Sequence, residues 1–278
     1  MAIDTMKNLL IHLVAHTTRS MASLDAVTKF LAILEETAPI LSPDRFGFYE
    51  PIRQKLNREI LHDQLKPIYN TISEDVTFKC PESRAGIIAY YASKSTRTWR
   101  HGFSGKWDYS QVAPHLKEFE QLARILPQMI TSSYIGAGIG GGNTEWVSLE
   151  DPNKNLGSIG SVPIPPQRIS GIECLTGIFW INVFGPEYIK FFGKSLLASL
   201  PGYKCEFLHD DRWFWLQPTE NPEEMFMPDG FALVRQIRVL LGQPKAFCDY
   251  DTSKPPFMTK FDKPDFDFSA IRPPIPQE

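Results

Sequence analysis

Hydrophobic and polar positions alternate between two periods along this chain. Leu9-Leu10-Ile11-His12-Leu13-Val14 is an apolar, β-branched run that predicts a strand, closed by the polar turn Thr17-Thr18-Arg19-Ser20. Leu24, Val27, Leu31, Leu34 and Ala38 then recur at helical spacing, with Ser23 as N-cap and Pro39 as terminator. Val76 to Cys80 and Ala85 to Trp99 have strand composition, and Gly102, Gly105 and Lys106 break that pattern. A helix with Pro114 in its first turn follows, presenting Leu116, Phe119, Leu122, Ala123 and Leu126 on one face, and Pro127 ends or kinks it.

The second half repeats the strand–helix theme. Leu175 to Val183 reads as a buried strand, and Gly185-Pro186 opens a helix that runs to Leu200 and stops at Pro201-Gly202. Tyr203, Cys205 and Phe207 alternate into the turn His209-Asp210-Asp211-Arg212, and Trp213 to Leu216 returns, which predicts a hairpin. Asp229 caps a helix carrying Phe231, Val234, Ile237, Leu240 and Leu241, and Lys245 to Cys248 is a last strand candidate. The pattern predicts an α+β fold: a mixed, mainly antiparallel sheet with helices packed on it, forming a single domain over residues 1–250. Residues 251–278 hold six prolines and are expected to form an extended Pro-rich C-terminal arm.

Composition narrows the function classes. The 278 residues are 42% hydrophobic and 22% charged, which suits a folded core rather than a disordered chain. A net charge of −3 provides no global basic field for nucleic acid. The first twenty residues lack the pattern of a secretory signal, and no run approaches the ~20 apolar residues that span a bilayer, so a cytoplasmic chain without a membrane partner is expected. Cys80, Cys174, Cys205 and Cys248 are scattered singly, without the paired spacing of a zinc or redox site.

Each chemical motif has a plain structural alternative. Gly136, Gly138 and Gly141 match G-x-G-x-x-G, yet residues 143–148 show no helical period to supply the dipole that a phosphate loop needs. Gly136 to Gly142 is therefore expected to be a mobile loop without a ligand. His12 and His16 share one side of either a helix or a strand but lack a third metal ligand, so they read as core or interface histidines. His209, Asp210 and Asp211 bring acid and base together at a hairpin tip, where Asp-Asp is common turn chemistry. Lys94, Arg97, Arg100, His101 and Lys106 interleave with Trp99 and Trp107, a pattern that can hold phosphates and stack bases but better suits an exposed, protein-facing strand edge. No catalytic set, cofactor site or metal site emerges.

The stretch Ile178-Phe179-Trp180-Ile181-Asn182-Val183-Phe184-Gly185-Pro186-Glu187-Tyr188-Ile189-Lys190-Phe191-Phe192-Gly193 resembles a segment of bacterial polymorphic-toxin immunity proteins, specifically the Immunity protein 52 family. Leu216-Gln217-Pro218-Thr219-Glu220-Asn221-Pro222 resembles the same family, and the likeness spans residues 175–245. It implies a cytoplasmic α+β protein that binds and neutralises a cognate protein toxin by occlusion, without catalysis. The Phe184–Tyr188 motif also has a structural meaning, with Gly185 turning the chain, Pro186 starting a helix and the aromatics filling a core.

Two surfaces have the Arg, Trp and charge composition of a partner-binding site: Arg97, Trp99 and Arg100 on the strand, and Asp210, Asp211, Arg212 and Trp213 on the hairpin. The competing expectations are a small enzyme or nucleotide-binding protein using residues 136–142 with Glu145, and a nucleic-acid binder using the basic strand 94–106.

Overall fold

A computed structural model describes residues 9–17, 24–47, 51–70, 76–81, 86–92, 101–130, 132–141, 146–147, 155–156, 175 and 177–242. The described residues fall into two compact units, one within residues 12–132, the other within residues 133–242 together with 9–11. The strand expected at Lys245 to Cys248 and the Pro-rich arm at 251–278 lie outside the described residues.

The first unit opens with β1 (Leu9–Thr17) and α1 (Leu24–Thr37), followed by β2 (Arg45–Gly47), β3 (Gln54–Lys55) and α2 (Leu61–Asn70). It continues through β4 (Val76–Lys79), β5 (Ile87–Ala92), β6 (His101–Asp108), α3 (Tyr109–Val112) and α4 (Leu116–Ile130). Its strands lie in the order β1-β6-β5-β4-β2-β3, with antiparallel pairing from β6 through to β3. Helix α1 packs against α2 and α4. Its periodic residues Val27, Leu31 and Leu34 are buried together with Phe30, whose ring lies 4.7 Å from that of Phe103 on β6. The apolar stripe of α4 is buried as its spacing predicts, and the edge of Phe119 meets Trp107 at 6.1 Å.

Two expectations change here. Helix α4 runs through Pro127 to Ile130 instead of ending there. Pro127 is buried on the same stripe as Leu126 and Ile130, so packing offsets the backbone hydrogen bond that its ring forgoes. Gly102, Gly105 and Lys106 do not break a strand either, because they lie within β6. A Cβ on Gly102 would sit 2.0 Å from the Ala15 carbonyl oxygen of neighbouring β1. One on Gly105 would sit 2.0 Å from the Trp107 ring. The glycines mark close approaches inside a sheet.

The second unit contains β7 (Ser132–Gly141), the short pair β8 (Trp146–Val147) and β9 (Asn155–Leu156), then β10 (Ile181–Phe184), α5 (Pro186–Phe192) and α6 (Lys194–Ala198). It closes with β11 (Lys204–Leu208), β12 (Trp213–Gln217) and α7 (Pro228–Leu240). Its strands are ordered β11-β12-β10-β7 and every neighbouring pair is antiparallel. The fold class is α+β with an antiparallel sheet, as the hydrophobic pattern predicts.

The glycine tract is strand, not loop: Gly136 pairs with Asn182 and Ala137 with Ile181 across β7 and β10. A Cβ on Gly136 would lie 2.8 Å from the Phe179 ring, so the missing side chain makes room for an aromatic from forty residues away. Gly142 lies outside the described residues. The buried strand expected over 175–183 is shorter, beginning only at Ile181. The single helix expected from Pro186 to Leu200 is two, because Gly193 adopts a φ of +83° between α5 and α6. Phe184, Tyr188, Phe192 and Phe214 form one aromatic cluster, with Phe184 5.8 Å from Tyr188 and 6.4 Å from Phe214. The Phe184–Tyr188 motif therefore builds the interior.

Candidate functional site

Among the described residues, the hairpin of β11 and β12 presents the sequence-predicted site residues as an exposed charged tip. Leu208 pairs with Trp213, leaving His209 to Arg212 as a four-residue turn. The Arg212 amide donates to the carbonyl of Leu208 at 3.2 Å, closing it. His209, Asp210 and Asp211 have φ values of 53°, 57° and 60°. Three successive non-glycine residues in the left-handed region are uncommon, and each carries a local energetic cost that Asp tolerates better than most side chains.

Side-chain contacts fix this turn. Lys194 Nζ, from the start of α6, lies 3.1 Å from Asp211 Oδ2, and the same ammonium lies 5.6 Å from the Phe207 ring centre. The Arg212 guanidinium lies over the Trp213 ring at 5.0 Å, and the His209 ring meets that indole edge-on at 5.7 Å. Asp210, Asp211 and Arg212 are exposed, whereas Trp213 is only 2% exposed. Trp213 is thus a buried platform under Arg212 and His209 rather than a surface anchor, and every residue of β12 is buried with it. The alternation that would have told an inward from an outward tryptophan is missing from such a strand.

Arg97, Trp99 and Arg100 lie outside the described residues. Of the remaining basic–aromatic stretch, Lys106 is half-buried on β6. Trp107 is buried against Phe119, with Gly86 and Gly105 beneath its ring, and presents no open face for a base to stack on. The strand geometry of residues 136–141 also removes the glycine loop on which the nucleotide-binding expectation depends.

The other candidate chemistry is equally interior. His12 is buried in β1, and burial, aided by the positive charge of Lys106, lowers its pKa to about 4. The imidazole is neutral at physiological pH. Burial pushes the Cys205 thiol up to about 11, leaving it protonated and a poor nucleophile. Among the described residues, no group of three His, Cys, Asp or Glu side chains could hold a metal ion.

Sequence reasoning passed over Asn182, a buried polar side chain of the second unit with four hydrogen bonds. Its Oδ1 accepts from the Tyr134 hydroxyl and the Phe179 amide, both at 3.0 Å. Its Nδ2 donates to the carbonyls of Phe179 at 2.8 Å and Leu216 at 3.2 Å. An asparagine inside an otherwise apolar strand was the available signal, since a buried amide requires partners.

The fold and the hairpin together describe a helix-backed antiparallel sheet with a charged, conformationally constrained turn. A solved structure of the Pseudomonas aeruginosa T6SS protein PA0821 has a similar fold, with a TM-score of 0.57 over 84% of this chain and 72% of that one at 12% identity. No family model matches the chain. No curated protein matches it either. Among the described residues, no helix is long and apolar enough to cross a membrane.

Proposed function

We propose that this chain is a bacterial immunity protein of the cytoplasm that binds a cognate secreted toxin and neutralises it by occlusion, without catalysis. The observation that carries the reading is the fold it has in common with a T6SS protein over most of its length. The resemblance of residues 178–193 and 216–222 to polymorphic-toxin immunity proteins points the same way. Asp210, Asp211 and Arg212 supply the docking tip, with Trp213 supporting them from below, and Arg97, Trp99 and Arg100 are the alternative surface. A turn closed by a backbone hydrogen bond and braced by an ion pair and a cation–π contact suits recognition, because its backbone is set before the partner arrives.

The experiment is growth of a bacterial host expressing the reading frame adjacent to this one, with and without this chain, and a neighbour that leaves growth unimpaired counts against the reading. Restored growth, a stable complex on gel filtration, and full toxin activity after the complex is denatured and the toxin refolded are the expected results. Persistent killing overturns the reading. Recovery of a covalently altered toxin overturns its non-catalytic part.

A further inference from the structure

Beyond the hairpin, the segment that follows β12 leaves large apolar side chains in water on a fastened backbone. Phe226 is 39% exposed and Met227 49%. Tyr203 is 57% exposed and joins the segment through its hydroxyl, which donates to Glu220 Oε1 at 3.2 Å. Single exposed apolar residues are ordinary. Two on one segment bordered by carboxylates, with a third tied to that segment by its hydroxyl, have the composition of a docking patch, with apolar anchors and a polar rim.

This surface is organised without a partner. Trp180 Nε1 and Gln217 Nε2 both donate to the Glu220 carbonyl at 3.2 Å. Thr219 Oγ1 donates to the Asn221 carbonyl at 2.8 Å, and the Asn221 amide donates to Glu224 Oε2 at 3.2 Å. Gly230 approaches the Glu224 carbonyl so closely that a Cβ there would sit 2.1 Å away, which seats the start of α7 against the segment. A backbone held in this way loses little conformational freedom when the patch is covered.

We infer that Tyr203, Phe226 and Met227, with Glu220, Glu223 and Asp229 around them, form a second docking surface for a basic face of the toxin. The charge sets the occupant: from Pro218 to Val234 the chain has four carboxylates and no Lys or Arg. Complementary charge accelerates encounter, and like charge excludes wrong partners, including a second copy of this acidic patch. The inference rests on the immunity reading and adds to it a surface separate in sequence from the hairpin tip.

The test is calorimetric titration of the purified product of the adjacent reading frame, once shown to arrest growth, into the full chain, at low and high salt. Met227→Ala combined with Tyr203→Ala removes two exposed anchors, so melting temperature should hold while affinity falls at least about 10-fold. Glu223→Lys with Asp229→Lys should weaken binding strongly at low salt and much less at high salt. Wild-type affinity in both variants overturns this surface while leaving the immunity reading intact. An oligomeric state that changes in the variants while toxin affinity stays fixed overturns it in favour of self-association. A wild-type chain that binds no toxin overturns the immunity reading and this surface with it.

Discussion

The hydroxyl of Tyr134 on β7 donates to Oδ1 of Asn182 on β10 at 3.0 Å, in a part of the second unit where both side chains are buried. Burial also holds the Tyr134 phenol well above its ordinary pKa, so the donor keeps its proton. Tyr134→Phe should cost about 1 kcal/mol, since Asn182 Oδ1 keeps its bond from the Phe179 amide. Asn182→Ala should cost more, about 2–4 kcal/mol, because it strips partners from a buried hydroxyl, an amide and two carbonyls. Urea denaturation of both variants and the double variant should show coupling rather than additivity.

Trp180 is buried ahead of β10 and its indole donates to the Glu220 carbonyl. Trp180→Ala should destabilise by about 3–5 kcal/mol, as other large-to-small core changes do. A variant as stable as the parent would place Trp180 outside the core's energetics.

Two glycines separate steric from backbone effects. Gly105→Ala drives a methyl into the Trp107 ring and should cost about 1–3 kcal/mol, read as a lower urea midpoint. Gly193→Ala meets nothing within 4 Å but must keep a φ of +83°, so about 1 kcal/mol of purely conformational cost is expected.

Asp210 carries the same kind of backbone cost at the proposed docking tip. Asp210→Gly should raise stability by about 0.5–1 kcal/mol by relieving the left-handed strain. Asp210→Lys with Asp211→Lys should weaken toxin binding, most strongly at low salt. Unchanged affinity at both salt concentrations would move the docking site to Arg97, Trp99 and Arg100.

His12 links stability to pH. Its folded pKa of about 4 lies below the ordinary value of 6.5, so the unfolded chain takes up the proton first. Stability should be full above pH 6.5 and decline as the pH falls toward 4, by about 3 kcal/mol in total. Urea midpoints of wild type and His12→Leu between pH 7 and 4 should differ in slope, with the variant flatter.

Legibility followed the range of the interactions concerned. Helix α4 and the β11–β12 hairpin are readable because Phe119, Leu122 and Leu126, or the Asp-Asp turn, report local periodicity and local turn chemistry. Gly136 and Gly105 are not readable, because their reason lies in rings that fold over them, Phe179 in one case and Trp107 in the other. Glycine signals a loop and a close approach with the same letter. The site divided in the same way: exposed Asp210 and Asp211 follow from a polar turn, whereas the inward face of Trp213 depends on a strand buried on both sides.

Among the described residues the sheet order ends at β11, where Lys204 and Glu206 form an ion pair at 3.5 Å on one side of the outermost ladder. A strand with an open rim is a template on which further copies can stack without limit. Each added copy in the same register would have to strip water from this charged pair or break it. The two residues thus act as a brake on fibrous polymerisation, so a chain with Lys204→Val and Glu206→Val should fold yet clump at concentrations where the parent stays clear.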